Sequence, residues 1–149
     1  MSFGGTSAVV TSIGLTVGFA TATANRAALV GSLLIVGIAD NVTDSLSVHV
    51  YQESEGLEPG QAIRSTASNF ATRLVVTATF VAIAAFVPRP LVALSAMAWG
   101  AVLLGALTRS LARERGVPTR RELVRHLGVA AIVIVVSRVI GGAIGSSVG

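Results

Sequence analysis

From Phe3 to Ala24 the chain carries no charged side chain, and four more apolar runs follow it. A bilayer hydrocarbon core about 30 Å thick is crossed by about 20 mainly apolar residues in a helix. The second run, from Ala27 to about Val50, is interrupted by Asp40 and Asp44. The third covers about Phe70 to Val87 and stops at Pro88-Arg89-Pro90, where two prolines break a continuing helix. Leu91 to Thr108 is again free of charge, and Leu127 to Val148 is interrupted only by Arg138. Membrane β-strands are shorter and alternate in polarity, so these unbroken runs read as helices. The expected architecture is all-α: five transmembrane helices, 3–24, 27–50, 70–87, 91–108 and 127–148, in a single domain over 1–149. Only 12% of residues are charged, about half of what a water-facing domain carries. No basic segment precedes the first run, so no cleaved signal peptide is expected.

An odd number of spans puts the two ends of the chain on opposite faces. The linkers Glu53–Arg73 and Arg109–Arg125 then share the N-terminal face. The second holds Arg109, Arg113, Arg115, Arg120, Arg121 and Arg125 against Glu114 and Glu122, whereas the opposite face offers Arg26 and Arg89. Basic loops are retained in the cytoplasm, which predicts a cytoplasmic N-terminus and an outside C-terminus. The net charge of +4 rests on arginines alone, since there is no Lys. Topogenesis explains their clustering better than nucleic acid does, and no nucleic-acid partner is expected; binding of lipid phosphate is the other reading. With no cysteine, disulfides, thiolate metal sites and thiol nucleophiles are excluded. The expected location is the cell membrane of a prokaryote.

Asp40 and Asp44 carry the chemistry. They lie four residues apart on one helix face, about 20 Å into the second span for Asp40 at 1.5 Å per residue. A charge at the centre of a spanning helix costs about 2.5–3.5 kcal/mol on insertion scales. Two carboxylates side by side also repel unless a cation or proton sits between them. Carboxylate and hydroxyl oxygens suit divalent cations. The candidate ligands are therefore Asp40, Asp44, Thr43, Ser47 and Thr11, with Glu53 and Glu55 drawing cations to the mouth. Two other readings stay open: a structural pair with Arg138, the one basic residue deep in a span, or a proton relay without metal. His49 falls on another stripe with Glu53 and is a further candidate. Gly14–Gly18 and Gly141–Gly145 are GxxxG patterns that permit close helix approach, including between copies. There is no nucleophile elbow, zinc-protease motif or phosphate-binding loop, so the chain is not expected to be an enzyme or to drive transport with ATP.

The segment Ala39-Asp-Asn-Val-Thr-Asp-Ser-Leu-Ser-Val-His-Val-Tyr-Gln-Glu-Ser-Glu55 resembles the second helix of the vacuolar iron transporter family, with its mid-helix Ala-Asp and acidic, polar exit. Gly4-Gly-Thr-Ser-Ala-Val-Val-Thr-Ser-Ile-Gly-Leu-Thr-Val-Gly18 resembles that family's opening helix. The resemblance implies five spans, a homodimer, and proton-coupled export of Fe(II) or Mn(II) as a transported ion, with no permanently bound cofactor. Asp40 corresponds to the family's second-helix Asp. Asp44 stands where the family commonly has Met, and Ser7 where its first-helix Asp would be. The Glu-rich soluble metal-collecting domain of many members has no counterpart here. The rival expectation is a non-transporting membrane scaffold or accessory protein held by an Asp–Arg pair.

Overall fold

The computed structural model describes residues 3–23 and 25–148; Ala24, the expected last residue of the first span, lies outside them. Five helices follow one another: α1 Phe3–Ala22, α2 Arg26–Ser54, α3 Pro59–Phe86, α4 Arg89–Arg115 and α5 Thr119–Val148. No strand occurs among the described residues, and all five helices are long and apolar enough to cross a membrane. Most of the helix beyond the hydropathy-based bounds lies toward the N-terminal face, whereas α1 stops at Ala22 and α3 at Phe86, short of theirs. α3 begins at Pro59 and not near Phe70, α4 runs on to Arg115, and α5 begins at Thr119. The apolar run measures the stretch that needs lipid. Backbone hydrogen bonding continues the helix beyond it until a breaker intervenes.

Those breakers are legible. The Asn25 side chain accepts a hydrogen bond from the Ala28 N–H at 3.2 Å and caps α2. Pro59 and Pro90 sit in the first turns of α3 and α4, where a missing N–H costs nothing. Gly116 ends α4 in the left-handed region, at φ 64°, a conformation that L side chains resist. At the face opposite the N-terminus, Arg26 donates to the carbonyls of Ala85 and of Val87 (2.9 Å for the latter). Arg89 in turn donates to the Thr23 carbonyl. Each guanidinium thus satisfies carbonyls at the end of a neighbouring helix and meets the negative end of its dipole.

α1 packs against each of the other four helices. Its 20 residues rise about 30 Å, so it just spans a hydrocarbon core. Val9, Ile13 and Val17 are fully enclosed with Phe80 and Leu104. α2 and α5 instead turn Ile35, Ile38, Leu46, Ile132, Val135 and Val139 outward, as lipid-facing helices do. Gly5 lies against Thr72 and Leu107, so α3 before Thr72 and α4 after Leu107 extend past the start of α1. The bundle therefore projects two helical hairpins, α2–α3 and α4–α5, beyond one face.

The two GxxxG rows pack on each other inside the chain. A Cβ at Gly141 would stand 2.4 Å from the Gly18 carbonyl oxygen, and one at Gly145 would stand 3.2 Å from that of Ala22. Backbone cannot yield as a flexible side chain can. Gly141→Leu is expected to lower stability in detergent by about 1–3 kcal/mol or more through overpacking. Gly142→Leu, whose added Cβ meets nothing within 4 Å, should leave the melting temperature near that of the parent protein.

Candidate functional site

The polar atoms of the bundle gather at the N-terminal half of α1, between α1, α2 and α3. Arg73, which hydropathy places at the end of a linker, lies inside α3 and is 1% exposed. Its Nη2 donates to Asp40 Oδ2, and its Nη1 lies 3.3 Å from Asp44 Oδ2. Nη1 also donates to the Gly4 carbonyl at 2.9 Å. One guanidinium thereby ties three helices together. The expected counter-charge, Arg138, is exposed on α5 and does not take this role. Position in the bundle decides between them: α3 lies directly against α2, while α5 packs on α1 and α4.

Asn69, one turn before Arg73, donates from Nδ2 to Asp44 Oδ2 at 2.9 Å. Gly4 makes room for it, since a Cβ there would come within 1.8 Å of Asn69 Oδ1. Asn41 donates to the Phe70 carbonyl at 3.0 Å, fixing the register of α2 on α3. Farther out, Gln52 Nε2 donates to Ser65 Oγ at 2.6 Å. Gly4, Ser7, Asp44, Val48, Gln52, Ser65 and Asn69 enclose a crevice of ≈ 380 Å³. Gln52 Oε1 is buried and has no donor. Two carboxylates against one guanidinium leave this region one negative charge in excess. The Asp40 and Asp44 side chains remain 38% and 32% exposed.

The crevice sits near one end of the bundle and not at its middle. Asp44 is eighteen residues past Arg26, about 27 Å along α2, with Asp40 about 6 Å deeper. The expected ligand set is not assembled. Thr43 and Ser47 are exposed and donate to their own helix carbonyls, at Ala39 and Thr43, both at 2.9 Å. Thr11 lines a separate groove of ≈ 630 Å³ between α1 and α5, beside Gly14, Leu15 and Ser137. Glu55 is exposed at the end of α2. Glu53 lies 3.4 Å from His49 Nε2, and His49 Nδ1 lies 3.4 Å from Thr66 Oγ1, in a separate groove of the α2–α3 seam. No group of three His, Cys, Asp or Glu side chains comes together among the described residues. Ser7 does reach the same crevice as Asp44.

The missed residues are Arg73, Asn69, Gln52 and Ser65. A signal for three of them exists: Ser65, Asn69 and Arg73 recur every four residues and so form one helical stripe. It lies in a polar stretch that reads as a linker by hydropathy.

Comparison with protein-family models, curated proteins and solved structures found no match.

Removing a buried guanidinium leaves its partners as uncompensated charges, which costs about 3–5 kcal/mol. Arg73→Leu is therefore expected to lower thermal stability in detergent sharply. Adding Asp40→Asn and Asp44→Asn to the same chain should restore much of the loss. Arg138→Gln should shift the melting curve little.

Proposed function

We propose that the chain is a membrane transporter for cations, taking a divalent metal such as Fe(II) or Mn(II) in exchange for protons at the Asp44 crevice. The observation that carries this reading is that two carboxyl groups, Asp40 and Asp44, meet the single guanidinium of Arg73, with Asp44 also lining a crevice. One carboxylate is enough to balance the charge of a purely structural guanidinium bridge. The second carboxylate costs insertion energy and is compensated when a mobile positive species visits it.

Asp44 and the Ser7 hydroxyl, with Gln52 in the same lining, offer hard oxygen donors of the kind divalent cations prefer. Arg73 acts as a tethered cation. It holds Asp40 and shares Asp44, so an arriving ion competes with it and is bound weakly enough to leave. Protonation of Asp44 removes the same excess charge, which makes proton and metal alternatives at one site. With the arginine-rich α4–α5 hairpin in the cytoplasm, the crevice opens to the cytoplasm, and Glu53, Glu55 and Glu58 at the neighbouring hairpin attract cations there. The homodimer implied by the resemblance would form through surfaces other than the glycine rows, which are used between α1 and α5.

A scaffold without transport is the second reading, favoured by the full burial of Arg73 and its bond to the Gly4 carbonyl. Flux measurement separates the two. Proteoliposomes containing the purified protein should accumulate Mn(II) faster than empty liposomes, and faster still with an opposing pH gradient. Asp44→Asn should reduce that flux at least about tenfold while the protein still melts cooperatively in detergent. Flux equal to that of empty liposomes, with and without the gradient, would leave the scaffold.

A further inference from the structure

The arginines of the α4–α5 hairpin have a depth as well as a sign. Thr108, one residue past Leu107, is buried and its hydroxyl lies 2.9 Å from His126 Nδ1, which levels the two helices. Leu107 lies beside Gly5, in the first turn of α1, and α1 is just long enough to fill the hydrocarbon core. That level is therefore the edge of the core. From it, Arg109 and Arg113 on α4, and Arg125 and Arg121 on α5, stand about 3 to 9 Å outward along their helices. The polar headgroup layer on each side of a bilayer is about 5–8 Å deep. All four side chains are exposed. Each pair is spaced i, i+4, so it shares one helix face. Arg125 meets Glu122 at 3.7 Å yet stays 68% exposed.

The other hairpin on this face is built differently. Glu53 and Glu55 lie nine and eleven residues beyond Asp44, about 14–17 Å along α2, which carries them past the headgroups into water. At the depth of the phosphate layer the four arginines thus outnumber Glu122, whereas Glu53 and Glu55 of the other hairpin lie outside that layer.

We infer that the α4–α5 hairpin is a binding surface for anionic phospholipid headgroups, with Arg109, Arg113, Arg121 and Arg125 as the phosphate-facing residues. Arginine forks bind phosphate oxygens through paired N–H donors. Basic residues at this depth gain from the negative potential of an anionic leaflet. The surface holds a shell of anionic lipid around one side of the bundle, whether or not the crevice transports ions.

The test uses the full chain reconstituted in nanodiscs of phosphatidylcholine containing a minority of phosphatidylglycerol. Lipid carried through detergent extraction and repurification is then quantified. The retained lipid should be enriched severalfold in phosphatidylglycerol, and the enrichment should fall as salt rises. Arg109→Gln/Arg113→Gln and Arg121→Gln/Arg125→Gln should each lower it severalfold toward the input ratio, whereas the lysine versions of the same pairs should keep most of it. These side chains are exposed, so the glutamine pairs should melt as the parent does. Glu53→Gln/Glu55→Gln should leave the enrichment unchanged. Lipid retained in the input ratio, or enrichment indifferent to both glutamine pairs, overturns the inference. So does tight, arginine-dependent binding of a duplex DNA or RNA oligonucleotide to the protein in pure phosphatidylcholine discs without any lipid preference.

Discussion

A guanidinium with almost no solvent access, lodged between three apolar helices, is the constraint from which the N-terminal half of the bundle follows. Arg73 cannot shed its charge and cannot reach water, so the fold must bring acceptors to it. α2 supplies two carboxylates and α1 supplies a carbonyl. Once these are in place, the register of α2 on α3 is set, because sliding by one residue would carry Asp40, Asn41 and Asp44 away from Arg73, Phe70 and Asn69 together. The crevice beside Asp44 is the space that remains where polar side chains, longer and fewer than core packing requires, line the same seam.

The other half of the molecule is held by different means. There α1 and α5 come together through glycines, and the helix ends are closed by Arg26 and Arg89 binding carbonyls across the turns. In lipid no hydrophobic force draws apolar helices together, so close packing and hydrogen bonds must do so. The chain divides these two devices along its length: ionic and polar contacts near the hairpins, backbone contact and capping at the far face. A groove lined by Thr11 and Ser137 marks the side of the α1–α5 contact.

Much of this is legible in the amino-acid sequence. Five uncharged or nearly uncharged runs, each bounded by Pro, Gly or Arg, lead directly to five helices, because hydropathy and breakers are local properties. Asp40 and Asp44 stood out for the same reason. Their partner did not, since choosing between Arg73 and Arg138 requires knowing which helix lies beside α2. Hydropathy also misled at α3, where the polar turns from Pro59 to Asn69 read as a linker although they form a helix. Thr11 lies one turn from Ser7 on the same face of α1, yet the two line different spaces, one beside α5 and the other beside α2 and α3. The GxxxG rows were recognisable as contact surfaces, yet a pattern alone does not say whether the opposing surface belongs to the same chain.

The central position of α1 has a consequence for how the molecule is made. Of the five helices, α1 is made before the other four and touches them all, and its glycine face is matched by residues of α5, the last of the five. During synthesis, Gly14 and Gly18 keep their backbone partly bare until Ser137 and Gly141 emerge. The first helix is also the last to be completed, and that interval is when a folding factor, or a neighbouring nascent chain, would find the most to bind.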